Sequence, residues 1–161
     1  MEQNVTMPIQ PVFHYAGFWK RFVAYLLDQI IISIVAIFII IPFFAMIGFS
    51  FFSSDFEVSE ELVFTIITAY FSFIILAVAA EWLYFALMES MKGATIGKMA
   101  LGIIVTDLQG NRISFGRATG RYFGKIISSL TLCIGYIMAG FTQRKQALHD
   151  MIAGCLVINK S

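Results

Sequence analysis

The residues best placed to do chemistry lie where a charge is least welcome. The stretch "KRFVAYLLDQIIISIVAIFIII", residues 20 to 41, is apolar enough for lipid, yet it carries Arg21 at its mouth and Asp28 seven residues further in. Seven residues is almost two helical turns, so Arg21, Tyr25 and Asp28 share one face over about 10 Å of axis. A second apolar run repeats the pattern in "AVAAEWLYF", with Glu81 followed one turn later by Tyr84. Intramembrane acids cost at least a few kcal/mol unless paired or hydrated, so they point either to binding a proton or small cation or to a charge partner. Arg21 can snorkel and also fits a plain interfacial anchor. Asp28 cannot reach so far, and the partners expected for it are Tyr25, water, or a basic group on another helix such as Arg121 or Lys125.

Other chemistries find little support. "GATIGK", residues 93 to 98, has three residues between its glycines where a phosphate loop needs four, and Met99 follows the lysine. His14 and His149 are isolated, Cys133 and Cys155 form no CxxC pair and are expected to be free thiols, and Ser33, Ser72 and Cys133 suit ordinary helix packing. No enzyme activity, metal or cofactor is expected.

The elements that must position these residues follow from composition. With 59% hydrophobic, 16% aromatic and only 13% charged residues in 161, the chain reads as an integral membrane protein. Its net charge of +1 is spread over the edges of apolar runs, which excludes a basic nucleic-acid-binding face. Residues 1–15, with Pro8 and Pro11, read as a flexible arm, and 16–161 as a single membrane domain with spans at about 22–48, 62–88 and 117–141. Pro42 is expected to bend the first span. Lys20 and Arg21 precede that span, and the loop at 50–61 holds only acids. The positive-inside bias therefore sets the N-terminus in the cytoplasm, the acidic loop outside, and the basic segment 89–121 inside.

Within that segment "GIIVTDLQGNRISF" predicts a hairpin turning at Gly110-Asn111, and Ser114 an N-cap. The apolar run 126–141 spans only ~24 Å as helix against a hydrocarbon core of ~30 Å. It either crosses, stranding Arg144, Lys145 and Lys160 outside, or re-enters and returns the tail to the cytoplasm, where "CLVIN" can add a strand to "GIIVT". The expected fold is all-α: two full transmembrane helices, a short or re-entrant third segment, and a small cytoplasmic β-hairpin cap. Gly116, Gly120 and Gly124 recur every four residues and form a smooth stripe, for packing inside the chain or for a homo-oligomer face.

Three stretches, "AGFWKRFVAYLLD", "GATIGKMALGIIVTDLQGNRISFGRA" and "ALHDMIAGCLVI", together resemble the RDD family of small bacterial membrane proteins, named for one arginine and two aspartates. The resemblance implies that these are Arg21, Asp28 and Asp150; Glu81 joins them on physical grounds alone. It also implies a link to transport, since some members are similar to sodium/proton antiporters. Two readings follow. In the first, Asp28 with Glu81 or Asp150 binds a proton or monovalent cation while Arg21 competes for the carboxylate, in an oligomer large enough to enclose a path. In the second, Arg21, Asp28 and Asp150 form an electrostatic latch in a structural or accessory protein whose partner is another membrane protein.

Overall fold

A computed structural model of the chain describes residues 13–53, 59–131 and 134–160. Most of the arm expected at 1–15, Asp55 and Glu57 of the acidic loop, and Cys133 lie outside the described residues. Two long helices dominate: α1, Phe18–Ser53, and α2, Glu60–Lys92. At 36 and 33 residues they exceed the ~20 needed to span a bilayer, and both carry windows of mean hydropathy 2.5 with almost nothing buried inside the protein. α1 continues past Pro42. α2 begins at Ser59, whose hydroxyl accepts the Leu62 N–H, and ends at Gly93 in the left-handed region at φ 74°. Arg112 donates to the Met91 carbonyl and so meets one of the helix's last acceptors.

Beyond α2 the chain builds a compact cap from α3, Ile96–Ala100; β1, Ile103–Asp107; α4, Phe115–Leu130; α5, Ile134–Phe141; α6, Leu148–Ile152; and β2, Cys155–Asn159. Ser114 caps α4 by accepting the Arg117 N–H, as its position predicts. The hairpin expectation needs correcting. The turn forms, with Asp107 accepting the N–H groups of Gln109 and Asn111 and Gly110 at φ 90°. The return arm, however, gives only an isolated Thr106–Arg112 bridge. β1 pairs instead with β2, antiparallel, Ile103 opposite Asn159 and Asp107 opposite Cys155. Both strands are buried along most of their length, so each needs an apolar partner, and "CLVIN" supplies one opposite every residue of β1. Tyr15 bridges to Ile158 on the other side of β2.

α4 and α5 meet at a 103° bend, which breaks the third apolar run. Gly135 permits it, because a Cβ there would stand 2.8 Å from Ser128. The Tyr136 hydroxyl then donates to the Lys125 carbonyl at 2.9 Å and ties α5 back to α4. The glycine stripe divides between the two roles open to it. Only Gly124 is a close approach, 3.1 Å from the His149 Cβ; Gly116 and Gly120 face open space. The face of α4 that packs inward carries Ala118, Arg121, Gly124 and Ser128. The apolar core gathers Ala16, Ala24, Ala86, Ile103, Val105, Ala118 and Val157 where the cap meets the start of α1 and the end of α2.

Candidate functional site

Two buried polar clusters sit under this cap. The first is built on Asp28, fully buried on α1. Its Oδ1 accepts from the Gly97 N–H at 2.7 Å and the Tyr84 hydroxyl at 2.9 Å, and its Oδ2 from the Thr95 hydroxyl at 2.5 Å. The Tyr84 oxygen in turn accepts the Ile96 N–H at 3.2 Å. The first N–H groups of α3, which a helix start leaves without partners, are thus satisfied by α1 and α2. Gly97 makes this possible: a Cβ on it would collide with the Ala24 carbonyl and press against Asp28. The "GATIGK" stretch is therefore a docking loop for Asp28.

The second cluster is a chain of alternating charges. Arg21 donates to Asp150 Oδ2 and Arg121 to Oδ1 at 2.7 Å. Arg121 Nη1 reaches both oxygens of Glu89 at 2.8 Å, and Lys98 pairs with Glu89 from the other side. Arg21 also donates to the carbonyls of Ala16 at 3.0 Å and Lys145 at 2.5 Å. Asp150, at the third position of α6, accepts the Ala147 N–H at 3.1 Å. One network thus holds together α1, α2, α3, α4 and α6.

Burial opposes the charge on Asp150, but the Arg121 and Arg21 guanidiniums beside it hold its carboxyl well below the usual carboxylate range. Burial lowers the Lys98 ammonium against the pull of Glu89. Burial also pushes the His149 imidazole down to about 3, so it is neutral at physiological pH, with Nδ1 3.2 Å from the Ser128 hydroxyl. Cys155 is free and buried, its thiol pushed up to about 11 by that burial.

Of the residues expected from the sequence, Arg21 and Asp150 come together and Asp28 stands apart. Arg21 is not the partner of Asp28, and among the described residues neither are Tyr25, Arg121 or Lys125; three neutral donors engage both of its oxygens. Glu81 belongs to neither cluster and accepts from Gln29 at 3.0 Å. Tyr25 is half-exposed and lines a cavity beside the network. Glu89, Lys98, Thr95 and Gly97 escaped the sequence reading. Glu89 looks like an ordinary polar helix end, and nothing local ties "GATIGK" to a carboxylate 67 residues earlier.

No solved structure matches the chain. Among curated sequences, "Uncharacterized protein YxaI" of Bacillus subtilis (strain 168) is 35% identical over 90% of this chain and 97% of its own length. "Uncharacterized membrane protein YteJ" of the same organism is 34% identical over 91% of this chain and 82% of its own. A shorter match, "Uncharacterized protein RP437" of Rickettsia prowazekii (strain Madrid E), is 36% identical over 47% of this chain and 42% of its own. The profile of the RDD family matches residues 15–154, a stretch that takes in Arg21, Asp28 and Asp150 together with the cap that joins two of them. With two apolar helices long enough to span a bilayer and a relative named as a membrane protein, the chain is a membrane protein belonging to the RDD family.

Proposed function

We propose that this protein is a structural or accessory component of the bacterial inner membrane, in which the Arg21–Asp150–Arg121–Glu89–Lys98 chain is an electrostatic latch clamping the cap onto the ends of the spans. The observation that carries the reading is that the carboxylates at the heart of the site are already engaged. Asp150 lies between two guanidiniums and Glu89 between Arg121 and Lys98. Asp28 takes three neutral donors. A carrier for protons or monovalent cations needs a carboxylate that can release its partners at each cycle, and here release would undo the docking of α3 or α6. Proteoliposomes carrying the protein under an imposed pH gradient should show no dissipation driven by sodium, lithium or potassium. A cation-dependent signal that disappears in a well-folded Asp28→Asn variant would replace the latch with the transport reading.

The latch also implies a topology. Because the start of α1, the end of α2 and β2 meet in one cap, the latch reading puts residues 13 and 160 on one side and makes the bent α4–α5 pair a re-entrant segment. The basic residues of the cap favour the cytoplasm for that side. Single cysteines at Glu60, Gln109 and Lys160, in a background without Cys133 and Cys155, should react with an impermeant thiol reagent on intact cells only at position 60. Labelling at 160 from outside would contradict the shared cap.

A further inference from the structure

A cavity of about 420 Å³ lies against the latch, between α1, α4 and α5. Its walls are aromatic and aliphatic, from Phe18, Phe22, Tyr25 and Ile137, and its polar lining includes Arg21, Lys98, Arg121 and Lys125. Arg21, Lys98 and Arg121 are each paired with Glu89 or Asp150, and Asp28 accepts from neutral donors. Lys125 is the cation left over. Among the described residues no carboxylate stands within ion-pair distance of it, and its ammonium rests 4.0 Å from the centre of the Phe85 ring.

From this cavity we infer a binding site for a singly charged phosphate group carried on a lipid, with the phosphate at Lys125 and the first acyl carbons along Phe22, Tyr25 and Ile137. Three features select that chemistry. One unmatched cation suits a phosphodiester, which carries one negative charge, better than a headgroup that brings its own cation. The apolar walls suit an acyl chain and would gain nothing from inorganic phosphate. The depth is right too, because Phe18 to Tyr25 form the first two turns of α1, where a leaflet's headgroups lie, and basic pockets between helices at that level hold anionic headgroups. Phe22, Tyr25 and Ile137 are 42%, 45% and 46% exposed, which leaves the cavity's outer wall in contact with lipid.

The test uses the full chain purified in neutral detergent, titrated separately with dioleoylphosphatidylglycerol, dioleoylphosphatidylcholine, oleate and sodium phosphate, and read by native mass spectrometry and thermal unfolding. The expected result is one phosphatidylglycerol retained per chain, with a rise in Tm that the other three do not produce. Lys125→Gln should weaken retention at least tenfold while Lys125→Arg keeps it. Equal retention of phosphatidylcholine, or phosphatidylglycerol held as tightly by a folded Lys125→Gln, would overturn the site. An equal Tm rise with inorganic phosphate would overturn the lipid as the source of the phosphate, and an equal rise with oleate would overturn the phosphate itself.

Discussion

Asp28 and Asp150 are both fully buried at the same end of the spans, but they are held by opposite means. Asp150 sits between two guanidiniums whose own burial depends on it. Asp28 meets two hydroxyls and one backbone N–H, none of which carries a charge. Removing one member of a buried ion pair strands the other as an uncompensated charge, whereas removing charge from an acceptor of neutral donors forfeits only part of their hydrogen bonding. Asp150 is therefore the point on which the cap's attachment depends, and Asp28 is a geometric anchor for α3.

The largest effect should come from breaking the charged side. Asp150→Asn leaves Arg21 and Arg121 facing an amide and should cost about 3–5 kcal/mol in unfolding measured in detergent. Closing the space on the neutral side comes next. Gly97→Ala drives a methyl into the Ala24 carbonyl and the Asp28 carboxylate, pushing α3 off α1, at about 1–3 kcal/mol in the same assay.

That asymmetry was only half legible in the sequence. The two spans, the buried position of Asp28 and the Ser114 cap follow from local patterns of apolarity, charge and capping, which act over a few residues. The Arg21–Asp150 pair joins positions 129 apart, and no periodicity within either segment encodes that meeting; family resemblance grouped these residues but did not say which touch. Arg21 and Asp28 share a helix face, so proximity suggested a pair. The fold turns Arg21 toward the tail instead and gives Asp28 to "GATIGK", whose glycine leaves room for α1. The role of the glycine stripe was hidden for a related reason. Spacing alone cannot tell which face of α4 turns inward, and buried Arg121 rotates that face toward Ala118.

Asp28→Asn sharpens the comparison from the mild side. The amide oxygen can still accept from Gly97 and Tyr84 while its nitrogen donates to the Thr95 hydroxyl, so the loss should be about 1 kcal/mol, well short of Asp150→Asn. On α4, Ala118→Leu should destabilise by about 1–3 kcal/mol because Ala118 is 1% exposed, whereas Gly120→Leu should stay within about 0.5 kcal/mol. A further effect is one of pH. His149 titrates near 3 in the fold and near 6.5 when unfolded, so below about pH 6.5 the unfolded chain takes up a proton that the folded one refuses. Stability should fall as pH drops through that window, then further as the unfolded Asp150 carboxyl protonates near pH 4. A folded His149→Gln variant should show a shallower decline of Tm between pH 6.5 and 5.

The most direct test sets two double-mutant cycles side by side, Arg21→Gln with Asp150→Asn and Arg21→Gln with Asp28→Asn, each followed by equilibrium unfolding in one detergent. Direct contact predicts a coupling of about 1–3 kcal/mol between Arg21 and Asp150, and near-additive behaviour, within about 0.5 kcal/mol, between Arg21 and Asp28. A coupling for Arg21 with Asp28 that equals or exceeds the one with Asp150 would contradict the separation of the two aspartates and the latch that rests on it.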